Sequence, residues 1–377
     1  MIPLNKKRSI WQRLHLDLPL LLALMTMMVA SLAIVYSASG QDSAMMIRHA
    51  TRMFGAILGM FILAQFSPNT LKSMVIPLYC IGLLMLVGVL LFGVSSKGAQ
   101  RWLDLGVTRF QPSELMKIAV PMMVAWYIGR NHLPPRPLHL IIGFVIVMVP
   151  TILIKEQPDL GTSILIASSG IFVLFLSGLS WRLIGFLSAT VALAAWPFWH
   201  YVMLDYQKQR VLTFLDPESD PLGSGYHIIQ SKIAIGSGGL LGKGYGKGTQ
   251  SHLDFLPEHT TDFIFSVIAE ELGFFGVILL LIIYGLIIYR SFVISYEAED
   301  VFCKLLGASL TLIFFTYVFV NIGMVSGLLP VVGVPLPFVS SGGSSLITLM
   351  SSFGIIMSIR KHKTPSYVLG TKYHRNN

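Results

Sequence analysis

The chain has 377 residues, of which 54% are hydrophobic and only 12% charged, with a mean hydropathy of +0.71. Soluble domains carry about a quarter charged residues, so this composition excludes a soluble globule and predicts an all-α, polytopic membrane protein. The net charge of +9 fits apposition to an anionic inner leaflet and gives no reason to expect nucleic acid, while two distant cysteines, Cys80 and Cys303, exclude a disulfide framework and a zinc site.

A hydrocarbon core about 30 Å thick takes about 20 apolar residues per helix, and by that rule the chain offers ten spans. The first, Leu18 to Ala38, is preceded by basic residues and ends on a passable cleavage site, but its apolar run is too long for a signal peptide and predicts a retained helix. Met53 to Phe66, Met74 to Gly93, Pro112 to Gly129, Leu138 to Ile154, Thr162 to Leu179 and Leu183 to Leu204 follow, then Phe263 to Tyr289, Phe302 to Ser326 and Gly342 to Ile359. An even number places both termini on one side. Lys6, Lys7, Arg8 and Arg13 at one end, with Arg360, Lys361, Lys363, Lys372 and Arg375 at the other, assign that side to the cytoplasm. The outer loops then hold Arg48, Arg52, Lys97, Arg101, Arg109, Lys155, Lys208, Arg210, Lys232, Lys243 and Lys247. Unless the orientation is inverted, which the basic termini oppose, the outer face has a use for positive charge.

Along the chain, polar residues inside apolar spans stand out, because a charge at the bilayer centre costs about 2.5–3.5 kcal/mol. Glu114 and Lys117, three residues apart in the fourth span, share a helix face and predict an ion pair that serves either helix packing or a substrate cavity. Gln111-Pro112-Ser113-Glu114 and Gln157-Pro158-Asp159-Leu160-Gly161 both read as helix starts and hint at an internal repeat. The stretch from Asp205 to Asp262 is the one sizeable extramembrane segment, and its many glycines allow tight turns and close approach to a ligand. Within it, His227 to Ile235 predicts a short amphipathic helix at the membrane surface, the alternative being a flexible linker.

Asp262 stands where that loop enters a helix, with Thr260 and Thr261 as candidate caps. A carboxylate between water and an apolar wall can be tuned for general-base work, and the plainer reading is a helix cap or first-turn acid. Asp254 and Glu258 bring a second carboxylate near, suited to acid/base chemistry or a divalent cation. In the eighth span Glu270 and Glu271 require at least one interior partner and read as structural. Asn321, Gly323, Ser326 and Gly327 in the ninth suit internal helix packing, or else a partner helix. Ser340 to Ser345 resembles an anion-cradling nest at a helix start, without the P-loop pattern. These features predict an anionic, lipid-attached or transported ligand at the outer face, and no particular reaction.

Longer motifs carry a resemblance. They are Ser96-Lys97-Gly98-Ala99-Gln100-Arg101-Trp102, Phe110-Gln111-Pro112-Ser113-Glu114, Gln157 to Thr162, Asp216-Pro217-Glu218-Ser219-Asp220-Pro221, and the run from Gly225 to Gly239. Phe255-Leu256-Pro257-Glu258, Thr261-Asp262-Phe263-Ile264-Phe265, Glu270-Glu271-Leu272-Gly273 and Pro335-Leu336-Pro337 complete them. Over nearly its whole length the chain resembles the SEDS family (shape, elongation, division and sporulation), the RodA-type elongation members more than the FtsW-type division members.

That resemblance implies one transmembrane domain over residues 1–377, with an extracytoplasmic loop at 205–262, in the bacterial inner membrane and with a periplasmic active site. It implies a peptidoglycan glycosyltransferase that polymerises lipid II during cell elongation, partnered by a class B penicillin-binding protein transpeptidase and other elongation-complex proteins. Asp262 would be the catalytic carboxylate. Lys97, Arg101, Arg109, Glu114, Lys117, Asp159, Arg210, Gln230 and Ser231 would bind substrate, and a divalent cation, Mg or Mn, could share the neutralisation of pyrophosphate. Two departures matter: Thr260 stands where the family often has His, and Ser341 where it commonly has Tyr. A lipid II flippase, or a scaffold for the partner synthase, is the alternative.

Overall fold

Each apolar stretch folds as a helix, as a membrane demands when every backbone polar group needs an internal partner. The computed structural model describes residues 16–96, 99–104, 106, 109–221, 225–249 and 260–360. Ten long helices match the ten spans: α1 (Leu18–Ala38), α2 (Ser43–Ala64), α3 (Pro68–Phe92), α4 (Pro112–Gly129), α5 (Pro137–Lys155), α6 (Leu160–Leu176), α7 (Trp181–Pro197), α10 (Ile264–Tyr296), α11 (Val301–Val325) and α12 (Gly343–Arg360). Among the described residues of the long loop lie two short ones, α8 (Asp205–Leu215) and α9 (Tyr226–Ser237). Eight of the long helices have the length and apolarity to cross a membrane, α7 with its continuation to Val202 among them. The remaining two are α6, a shorter apolar helix, and α4, whose many buried positions show that protein encloses it on most sides. Side chains satisfy orphan N–H groups at several helix starts, where Asp17 accepts from Leu20, Ser67 from Thr70, Asp159 from Thr162 and Ser180 from Leu183.

Two elements differ from expectation. Helix α2 begins ten residues early because Asp42 caps it, so Arg48 and Arg52, expected in a loop, ride on its first turns. Between α3 and α4 a small antiparallel sheet forms from β1 (Val94–Ser96), β2 (Ala99–Asp104) and β3 (Arg109–Phe110), with Val94 opposite Trp102 and Leu103 opposite Phe110.

Helix α9 covers the predicted amphipathic segment and is seated on the bundle, with Ile228, Ser231 and Ala234 buried. After it the glycines meet a break in α10 at Gly273 (φ 65°, ψ −163°), a conformation essentially restricted to glycine. The loop fills that break. Lys243 N donates to the Glu270 carbonyl at 2.9 Å and Gly244 N to Glu271 at 3.0 Å, while Phe274 N donates to the Gly239 carbonyl at 2.9 Å. Both acids point inward: Glu270 accepts from Lys243 Nζ at 2.6 Å and Glu271 from Ser37 Oγ at 2.6 Å, which accounts for them structurally. At the opposite end of the bundle, Asp17 takes a two-pronged contact from Arg290 at 2.8 and 3.0 Å and a further one from Arg360.

Candidate functional site

The first turns of α4 and α6, Arg101 of β2 and the residues just before α10 surround a cavity of about 480 Å³, closed further by α8, Tyr317 of α11 and the segment joining α11 to α12. Gln111, in the cap position of α4, makes no capping bond, and its amide instead reaches across to Asp159 Oδ2 at 3.4 Å. One turn in, Lys117 Nζ meets Glu114 Oε1 at 2.7 Å with both side chains buried, and the ammonium lies 5.2 Å from the Tyr317 ring centroid on α11. The predicted pair therefore exists and lines the cavity.

Asp159 serves two further neighbours besides Gln111. Its Oδ1 caps α6, and its Oδ2 forms an ion pair with Arg101 Nε at 3.5 Å, while Arg101 also donates to the Pro158 carbonyl at 2.7 Å. Strand β2 is what carries Arg101 there. A Cβ on Gly161 would stand 2.8 Å from the Val332 carbonyl, so only glycine lets the α11–α12 segment lie this close to α6.

Asp262 does not cap a helix. Helix α10 starts at Ile264 with Phe263 in the cap position and no side-chain capping bond, which corrects the expectation that Asp262, Thr260 or Thr261 would fill that role. The half-buried Asp262 instead lines the cavity, and Gly333 (φ +73°) lies against it: a Cβ there would stand 3.5 Å from Asp262 Oδ2. Arg210 of α8, with Ser344 and Ser345 in the first turn of α12, completes the polar lining.

Of the residues expected from sequence, the cavity thus gathers Arg101, Glu114, Lys117, Asp159, Arg210 and Asp262. Three others stand apart. Arg109 is exposed on β3, and Gln230 is half-buried on α9 away from the lining. Ser231 is buried and gives its hydroxyl to the Ile228 and Val325 carbonyls, which makes it a packing residue. Lys97, Asp254 and Glu258 lie outside the described residues. Sequence reasoning did not single out Tyr317 or Gly333, for which no local signal exists. The Gln-Pro-acid motif already held the clue to Gln111.

Chemically, the cavity places a carboxylate opposite cations that suit a charged oxygen ligand. Its donors do not suit a protein-held metal: among the described residues no three His, Cys, Asp or Glu side chains are placed to hold an ion, and Glu114 and Asp159 are engaged by Lys117 and Arg101.

Comparison with known proteins agrees with this architecture. The family model for the FtsW, RodA and SpoVE group, described as cell cycle protein, matches residues 12–365. Peptidoglycan glycosyltransferase MrdB of Escherichia coli K12 is 56% identical over 357 residues, spanning 95% of this chain and 96% of its own. The protein of that name from Helicobacter pylori J99 is 37% identical, spanning 93% and 91%. Among solved structures, a chain of a peptidoglycan synthase complex described as coordinating polymerisation and crosslinking superposes with a TM-score of 0.80 at 32% identity, covering 92% of this chain and 99% of that one. The crystal structure of the Thermus thermophilus rod shape determining protein RodA gives 0.71 at 28% identity, covering 93% and 98%. With a family match across nearly its whole length and the same helical frame, this multi-pass membrane protein belongs to the SEDS family.

Proposed function

We propose that the protein is a peptidoglycan glycosyltransferase that polymerises lipid II at the outer face of the bacterial inner membrane, with Asp262 as general base. The observation that carries this reading is the single cavity in which Asp262 shares a lining with Arg101, Lys117 and Arg210, in a chain 56% identical to a peptidoglycan glycosyltransferase. Asp262 takes the proton of the acceptor 4-hydroxyl. The freed oxygen attacks the anomeric carbon of the growing strand, and the bond to undecaprenyl pyrophosphate breaks with its electron pair on the leaving phosphate oxygen. General-base help supplies about 10²–10⁴-fold; the rest comes from alignment and from Arg101 and Arg210 neutralising the leaving group.

The buried Glu114–Lys117 pair presents the Lys117 ammonium to the same phosphates, and Asp159 holds Arg101 in place. Lys97 and Arg109, on the flanking segment, are assigned to the approach of the anionic headgroup. Gln230 and Ser231 shape the loop above. The orientation that suits this chemistry has both termini in the cytoplasm, and the partner is a class B penicillin-binding protein transpeptidase, in keeping with the synthase complex whose chain has the same fold.

Polymerisation of lipid II by purified protein with its cognate transpeptidase, comparing wild type with Asp262→Ala, tests the proposal. Glycan strands from wild type and none from a variant that still folds and binds partner support it. Normal polymerisation by the variant removes Asp262 from the mechanism, and lipid II translocation without polymerisation by wild type makes the chain a flippase.

A further inference from the structure

Three consecutive main-chain carbonyls before α10 are each held by α11 or by the segment that joins it to α12. The Thr260 carbonyl accepts from Ser341 N at 3.0 Å, the Thr261 carbonyl from Ser340 Oγ at 2.6 Å, and the Asp262 carbonyl from Asn321 Nδ2 at 2.8 Å. Asn321 is fully buried on α11, one turn beyond Tyr317, and its Nδ2 also donates to the Val334 carbonyl at 2.7 Å. One amide group therefore ties the backbone of Asp262 to the backbone beside Gly333, so two walls of the cavity meet on a single side chain. The other clamps are anchored in turn: Ser340 Oγ accepts from Leu336 N at 2.8 Å, and the Ser341 carbonyl accepts from Arg52 at 3.1 Å.

Asn321 Oδ1 is buried with no hydrogen-bond partner among the described residues. An unmatched buried acceptor destabilises a fold, and an apolar side chain of similar size would avoid it. What Asn321 offers in exchange is its pair of donor bonds. Asp262 needs such an anchor because it precedes α10, where intrahelical bonds do not yet set the backbone.

We propose that Asn321 is a positioning residue for glycosyl transfer: its amide clamps the Asp262 main chain to that of Val334 and thereby aims the carboxylate into the cavity. This inference rests on the reading of Asp262 as general base. A misplacement of about 1 Å at a reacting group costs about 10²-fold, which sets the effect to look for.

The experiment measures kcat and KM for lipid II polymerisation, with thermal unfolding alongside, for wild type, Asn321→Leu, Asn321→Gln, Ser340→Ala and Asp262→Ala, each with the cognate transpeptidase. Ser309→Ala serves as the control, because Ser309 makes a comparable buried bond to the Ser169 carbonyl at 2.7 Å on the same helix, about 18 Å farther along. Expected are a kcat lowered about 10²-fold in Asn321→Leu with KM nearly unchanged, partial recovery in Asn321→Gln, and a wild-type kcat in Ser309→Ala. A wild-type kcat in folded Asn321→Leu overturns the inference, as does a kcat loss that Ser309→Ala reproduces. Should Asn321→Leu fail to fold, Ser340→Ala decides: a lowered kcat supports the clamp and a wild-type kcat overturns it. Normal polymerisation by Asp262→Ala removes the underlying reading, whereas an inactive Asp262→Ala beside a fully active Asn321→Leu removes the clamp alone.

Discussion

Lys243 in the glycine-rich loop sets its ammonium 2.6 Å from the Glu270 carboxylate, at the turn of α10 just before the helix breaks. Glu270 is fully buried, and its Oε1 also accepts from Thr249 N and Oγ1, each at 2.8 Å. The pair thus closes the loop over the break. Removing one partner of a buried ion pair costs about 3–5 kcal/mol, and because Lys243 is 29% exposed the lower end of that range applies. Lys243→Ala is expected to lower the thermal unfolding midpoint in detergent, and Lys243→Met with Glu270→Leu to recover most of the loss. An unchanged midpoint in the single variant would show that the carboxylate is satisfied without Lys243.

The Glu114–Lys117 pair allows stability and function to be separated. Lys117→Met leaves a buried carboxylate without its cation and should cost about 3–5 kcal/mol, whereas a fully neutral pair is often no less stable than the charged one. The double variant Glu114→Gln with Lys117→Met is therefore expected to unfold near the wild-type temperature yet polymerise little lipid II. Wild-type polymerisation by that folded double variant would assign the pair to helix packing alone.

At Gly273 the backbone conformation and its surroundings both demand glycine. A Cβ there would stand 2.8 Å from the Leu240 carbonyl and collide with Gly242 N. The strained conformation alone costs about 1–3 kcal/mol for another residue. Gly285 lies farther along the same helix with nothing within 4 Å of its would-be Cβ, where alanine gains about 0.5–1 kcal/mol. Gly273→Ala is expected to reduce the yield of monodisperse protein sharply and Gly285→Ala to leave it unchanged or raised, as read by size-exclusion chromatography and thermal unfolding. Equal behaviour of the two would mean that the loop can leave the break without consequence.

What the sequence by itself determined is local. Runs of apolar residues place the ten helices, because a lipid environment leaves the backbone no other way to satisfy itself. Asp17, Ser67, Asp159 and Ser180 mark helix starts through bonds that span only three residues. The Glu114–Lys117 pair was legible for the same reason, and extended motifs were enough to indicate the family and to single out Asp262. Only the tertiary structure decided which of the expected residues share a site. Arg101 reaches Pro158 across 57 positions, Asn321 reaches Asp262 across 59, and Ser37 reaches Glu271 across 234. Helix periodicity says which residues face inward, but not which inward face they meet. That is why Tyr317 and Gly333 gave no signal in the sequence, and why Ser231, promising in its motif, is spent on a bond to Val325. The cavity is a product of how helices from distant parts of the chain pack, since its walls are formed by contacts that no stretch of sequence contains.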